Sequence, residues 1–76
     1  MLTYYGTPLC PDCVAATKTL DEQGFNYTFI DITASTANLK AFLALRDSRE
    51  EFAPIKQEGR IGIPCFVEDD AIRFTI

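Results

Sequence analysis

Histidine and tryptophan are absent from this 76-residue chain and methionine occurs once. No apolar run approaches the ~20 residues that a membrane-spanning helix needs. A structural zinc site takes four Cys or His ligands. With three cysteines and no histidine, one chain can supply such a site only by adding carboxylates or a second copy, so no metal site is expected. Basic residues are few and dispersed: Lys18, Lys40, Arg46, Arg49, Lys56, Arg60 and Arg73 form no stripe, and the net charge is −4. Nucleic-acid binding needs a clustered basic surface; here the acid excess serves solubility. Low-complexity tracts, repeats and linkers are also missing. Residues 1–76 therefore read as one globular domain, of a size that buries only about 60% of its unfolded surface. The opening residues lack the basic segment, apolar core and small-residue cleavage site of a secretory signal. A cytoplasmic monomer without membrane association is the expectation. In that compartment a Cys-x-x-Cys is more often catalytic or metal-binding than a static bridge.

Such a pair is present. Cys10-Pro11-Asp12-Cys13 follows the short apolar segment Leu2-Thr3-Tyr4-Tyr5-Gly6 and opens a helix-favouring run. Leu2 to Tyr5, bounded by Gly6-Thr7-Pro8, reads as a buried strand. Pro11 falls where a first helical residue would sit, with Cys10 as the N-cap. Cys13, Ala16, Thr17 and Leu20 share one helix face, and Gly24 is placed to cap the end, with Phe25 folding back. Tyr27 to Ile32 is β-rich. Because a helix separates it from the first strand, the two should run parallel in a βαβ unit. A polar start signal at Thr33 to Thr36 leads into a helix over about 37–46 that carries Leu39, Phe42, Leu43 and Leu45. Ser48-Arg49-Glu50-Glu51 has capping-box form, yet Pro54 lies inside the following run and breaks or kinks it. A short, irregular helix ending at Gly59 is expected. Cys65-Phe66-Val67 reads as a third strand and Glu68-Asp69-Asp70 as a three-residue turn. Ala71 to Thr75, with Ile72 and Phe74 alternating against Arg73 and Thr75, reads as a half-exposed strand paired antiparallel.

The order β-α-β-α-(α)-β-β, with Tyr4-Tyr5-Gly6-Thr7-Pro8-Leu9-Cys10-Pro11-Asp12-Cys13 near the start and Gly59-Arg60-Ile61-Gly62-Ile63-Pro64-Cys65-Phe66 later, resembles the glutaredoxin branch of the thioredoxin fold. The resemblance implies an α/β fold with a four-stranded mixed sheet in spatial order 2-1-3-4. It also implies a cis peptide before Pro64 and thiol–disulfide exchange with Cys10 as the attacking thiol. Glutathione or a thioredoxin-reductase-type reductase would supply electrons, no cofactor would be bound, and disulfide-bearing proteins, ribonucleotide reductase among them, would accept. Three departures bear on glutathione recognition. Thr7 stands where the family usually has lysine, Asp12 where it usually has tyrosine, and its Gly-Gly-x-Asp-Asp segment has no counterpart in these residues. Asp69-Asp70 precede the last strand and are not that segment.

The residues themselves suggest how such a site works. A helix N-terminus presents unpaired N–H groups and the positive end of the helix dipole to Cys10, which favours the nucleophilic thiolate. Cys13, one turn in, can attack a mixed disulfide on Cys10 and release the reduced partner. Pro11 shapes the helix start. Asp12 favours the dipole but opposes a neighbouring thiolate, so the couple should be more reducing than with tyrosine there. The backbone of Ile63, set by Pro64, would pair with an extended substrate. Lys56 and Arg60 are candidates to meet a substrate carboxylate or are solvated charges. Thr7 either bonds the site backbone or belongs to a turn. Cys65 is either a small core residue or a group near Cys10 that tunes or captures it. Two other classes stay open: a metal or iron–sulfur binding module, and a redox-inactive peptide-binding domain of the same fold.

Overall fold

The computed structural model describes residues 1–76 and carries four strands and three helices in a β-α-β-α-α-β-β order. Strand β1 (Leu2–Gly6) lies between β2 (Tyr27–Asp31), parallel to it, and β3 (Cys65–Glu68), antiparallel; β4 (Ala71–Arg73) closes the far edge. The spatial order is β2-β1-β3-β4, the arrangement that the resemblance implied. Helix α1 (Pro11–Glu22) makes the parallel crossover from β1 to β2. Helices α2 (Thr36–Ser48) and α3 (Ala53–Gln57), joined by a 3-10 turn at Glu50–Phe52, lead to β3. No helix is long and apolar enough to cross a membrane.

Strand alternation divides the core in two. Leu2, Tyr4 and Phe66 face α1 and pack with Cys13 and Leu20. Tyr5 and Cys65, one residue along each strand, face the other way, where Ile32, Phe42, Phe52, Ile55 and Ile72 cluster. Phe52 meets Phe42 and Phe74 edge to face there, with the Phe42–Phe52 centroids 5.8 Å apart and Phe52–Phe74 5.0 Å apart. Ile63 touches both clusters, at the junction of sheet and loop.

Helix ends follow local chemistry. At the end of α1, Gly24 has φ +71°, its N–H donates to the Asp21 carbonyl, and Phe25 N–H donates to that of Leu20. This 6→1 and 5→2 pair is a Schellman ending. Glu58-Gly59-Arg60 repeats it after α3, with Arg60 N–H on the Ile55 carbonyl at 2.9 Å. Pro54 does not kink a helix: it sits in the first turn of α3, where an N–H is not needed, and the run divides into a 3-10 turn and α3.

Several boundaries differ from the sequence expectation. Ser35 caps α2 by accepting from Asn38 N–H at 3.1 Å, so this helix starts at Thr36, and it continues to Ser48. The capping-box reading of Ser48 fails: its hydroxyl donates back to the Ala44 carbonyl at 2.6 Å inside α2, and Arg49 flanks the next turn. Ile32 lies just past β2, although its N–H still reaches the Gly6 carbonyl. The hairpin turn has two residues, not three. Glu68 pairs with Ala71, and Asp69 and Asp70 both take positive φ (49° and 71°), as a type I′ turn requires. Strand β4 stops at Arg73 although the alternation in burial continues through Phe74 and Thr75. The next residues along the partner strand lead to Pro64, which has no N–H for a ladder.

Candidate functional site

The first turn of α1 carries the cysteine pair. Cys10 is the N-cap residue, with extended backbone (φ −102°, ψ 121°), and its side chain makes no capping hydrogen bond. Its carbonyl accepts from Val14 N–H at 3.0 Å and its own N–H donates to the Thr7 carbonyl at 3.2 Å. The backbone is thus tied down at both ends while the thiol, half-buried, stays unengaged as a cap. Pro11 occupies the first helical position and Asp12 the second, exposed. Cys13 is 1% exposed and packs into the core against Tyr4 and Leu20. All three cysteines are free thiols. Burial pushes the Cys13 thiol up and the adjacent Cys10 adds to this, while the Thr7 backbone and the Tyr4 hydroxyl pull the other way.

Facing the helix start is the loop 59–64. It ends in a cis Ile63–Pro64 peptide, as the resemblance implied. A groove of about 510 Å³ runs between the two, walled by Thr7, Leu9, Cys10 and Asp12 on one side and by Arg60, Ile61 and Ile63 on the other. A second cavity of about 350 Å³ continues past Asp12 along α1 to Phe66 and Phe74, sharing Asp12, Arg60, Gly62 and Ile63 with the first. Cys13 opens instead on a third, of about 230 Å³, between α1 and β2. The two cysteines therefore line different spaces: Cys10 the groove, Cys13 the cavity between α1 and β2.

The other sequence candidates separate clearly. Thr7 is 5% exposed. Its hydroxyl accepts from Leu9 N–H at 3.2 Å and bonds that of Thr33 at 2.9 Å, while Asp31 holds Thr33 through both N–H and hydroxyl. Through Leu9 it bonds the backbone of the turn before Cys10. Arg60 and Ile63 line the groove. Lys56 is exposed in the last turn of α3 and lines none of the cavities, so it leaves the set. Cys65 leaves it too. It is 0% exposed, sits opposite Tyr5, and belongs to the cluster on the far side of the sheet from Cys13. Burial pushes its thiol to about 12, with Glu51 adding to the rise and Arg49 opposing it. It is the small core residue of its two sequence readings.

Two contributors escaped the sequence reading. Arg46, in the last turn of α2, extends its guanidinium to the groove loop: Nε donates to the Ile61 carbonyl at 2.8 Å and a terminal nitrogen to the Arg60 carbonyl at 2.7 Å. This fork fixes the backbone just before Ile63, and no local signal places an arginine against carbonyls so far along the chain. Tyr4 is the second. Its hydroxyl donates to the Cys13 carbonyl at 2.7 Å and accepts from the Thr17 hydroxyl at 3.2 Å. Strand alternation already turns Tyr4 inward, and a buried tyrosine needs a partner for its hydroxyl; that signal was available.

Comparison with known proteins agrees with this geometry. The chain is 41% identical over 58 residues to an uncharacterized protein of Haemophilus influenzae, an alignment covering 76% of this chain and 67% of the relative. No solved structure matches. The glutaredoxin family model matches residues 2–67, which include the cysteine pair, the Ile63–Pro64 loop, β1, β2 and most of β3. On that match, the chain belongs to the glutaredoxin family.

Proposed function

We propose that this chain is a dithiol thiol–disulfide oxidoreductase in which Cys10 attacks and Cys13 resolves. One observation carries the reading: a thiol not used as a cap stands at the N-terminus of α1 and opens on a groove, with a second thiol buried one turn behind it. The free N–H groups of the first turn and the helix dipole face the Cys10 sulfur and favour its anion. That anion attacks a substrate disulfide, bonds to one sulfur and expels the other as a thiolate. Cys13 then attacks Cys10, releases the second substrate thiol and leaves an internal disulfide. A thiol reductant returns the protein to the dithiol state.

Substrates are protein disulfides or glutathione mixed disulfides. An extended segment lying in the groove meets the Ile63 backbone as a strand-like partner, and Arg60 stands where a carboxylate would reach it. Thr7 brings no charge to the groove and spends its hydroxyl on Thr33, which favours a reductase of the thioredoxin-reductase type over glutathione as electron source. The work suits a reducing cytoplasm and a monomer. Two coupled assays test this: NADPH loss with glutathione plus glutathione reductase, and with thioredoxin reductase. Turnover in at least one, abolished by Cys10→Ser, is expected. A Cys10→Ser protein as active as the native one would overturn the reading.

A further inference from the structure

Tyr4 is fully buried on the α1 side of β1, its ring between those of Phe29 and Phe66 with centroids 4.9 and 5.1 Å away. It is more than core. Thr17 donates into the Tyr4 oxygen, so the one phenolic proton points onward, to the Cys13 carbonyl at 2.7 Å. No buried side-chain polar atom is left unpartnered. The neighbouring strand residue keeps this arrangement open. A Cβ on Gly6 would lie 2.8 Å from the Tyr4 ring, 3.1 Å from its oxygen and 3.0 Å from the Cys13 sulfur. Phenol and thiol thus flank one small space that exists because Gly6 has no side chain.

We propose that Tyr4 is a positioning residue for the second displacement: its hydroxyl, oriented by Thr17, holds the Cys13 carbonyl while the thiol is neutral and turns its one proton to the adjacent sulfur as that sulfur becomes an anion. The inference rests on the assignment of Cys10 as attacking and Cys13 as resolving thiol. In the step concerned, Cys13 gives its proton to solvent and its sulfur attacks Cys10 in the mixed disulfide. The Cys13–Cys10 bond forms, the bond from Cys10 to the substrate sulfur breaks, and that sulfur leaves with the electron pair and takes a proton from solvent. The two cysteines are oxidised and the substrate disulfide is reduced by the same two electrons. Tyr4 donates and does not serve as a base, since burial pushes its hydroxyl to about 12. The titratable groups facing Cys13 are Cys10 at the helix start, Tyr4 on β1 and, across the cavity behind α1, Tyr27 on β2. Of these, only Tyr4 lowers the cost of ionising Cys13.

A symmetric nitroaryl disulfide separates the two displacements, because each half absorbs when released. Mixed with the reduced protein, it should give a first phase from Cys10 and a second from Cys13. Tyr4→Phe keeps the ring and removes the hydroxyl. The second phase should slow about fivefold and its pH profile move upward, while the first phase changes by less than about twofold. Thr17→Val should slow the second phase about twofold and Thr17→Ser should restore it. Equal slowing of both phases in Tyr4→Phe would assign the residue to packing alone and overturn the proposal, as would an unchanged second phase in both Tyr4→Phe and Thr17→Val. Should Tyr4→Phe fail to fold, the Thr17→Val and Thr17→Ser pair decides. Failure of the dithiol assignment looks different: the native protein itself then lacks a second phase that Cys13→Ser removes.

Discussion

Cys13 and Cys65 are both buried thiols whose ionisation burial opposes, yet they lie on opposite faces of one sheet. Cys13 has Cys10, a backbone N–H and a tyrosine hydroxyl around it. Cys65 has Phe42, Phe52 and Ile72 in its cluster, with no hydrogen-bond donor among the causes of its shift. The difference teaches that burial alone does not make a cysteine reactive. In the proposed mechanism the resolving thiol is the one whose surroundings can stabilise its anion and whose sulfur has an electrophilic partner in reach.

The largest expected effect breaks this comparison at the active side. Cys13→Ser should abolish the internal disulfide formed on oxidation, and Cys65 should not substitute for it, because the sheet stands between. Thiol counts on the oxidised protein, with Cys65→Ala as control, check this; a Cys10–Cys65 bridge would overturn the two-face description. Next comes the far core. Phe42→Ala should cost about 3–5 kcal/mol, a large share of the ~5–15 kcal/mol typical of a whole domain, as denaturant melts would register.

A smaller effect sharpens the contrast through pH. The folded state holds Cys65 neutral, its ionisation moved from 9.0 to about 12, and Tyr4 likewise from 10.0 to about 12. Above pH 9 the unfolded chain therefore binds fewer protons than the folded one, and stability falls as pH rises from about 9 to about 12. Below pH 9 this contribution is fully present. Melting temperature should drop as pH rises from about 9 to about 12, and drop less in Cys65→Ala, which leaves the shares of Tyr4, Cys13 and Tyr5.

The two faces also communicate through the groove loop, which Arg46 of α2 holds. Arg46→Gln should raise KM for a protein disulfide roughly five- to tenfold, the scale of charge-assisted hydrogen bonds. A small nitroaryl disulfide, which needs little of the loop, should be less affected. The smallest effect is at Asp12. The carboxylate opposes the Cys10 thiolate, so Asp12→Tyr should make the couple less reducing by roughly 10–20 mV. Equilibration with glutathione gives the value, and an unchanged or more negative potential in the variant would reject the argument.

Much of the site was legible because its parts are local. Cys10, Pro11 and Cys13 are adjacent in the chain and their spacing on a helix start is fixed by helix geometry. Cys65 could be read two ways because its side of the sheet depends on register. Lys56 and Arg60 looked alike in the sequence, yet the Schellman turn at Gly59 brings Arg60 to the groove while Lys56 stays in α3. The hairpin turn at Asp69-Asp70 is one residue narrower than the sequence suggests, because two aspartates in left-handed conformation leave no mark beyond their tolerance for it.

Sequence by itself determined the secondary-structure order, the parallel crossover and the place of Cys10 and Cys13 at a helix start, since each follows from near-neighbour periodicity, capping and spacing. Tertiary structure alone decided that Cys65 lies on the opposite face of the sheet from Cys13, that Arg46 grips the loop before Pro64, and that a tyrosine on β1 bonds the helix carrying Cys13. Those depend on strand register and on side chains reaching across elements. Contacts of that kind are set by how the layers pack, not by any residue's own neighbours in the chain.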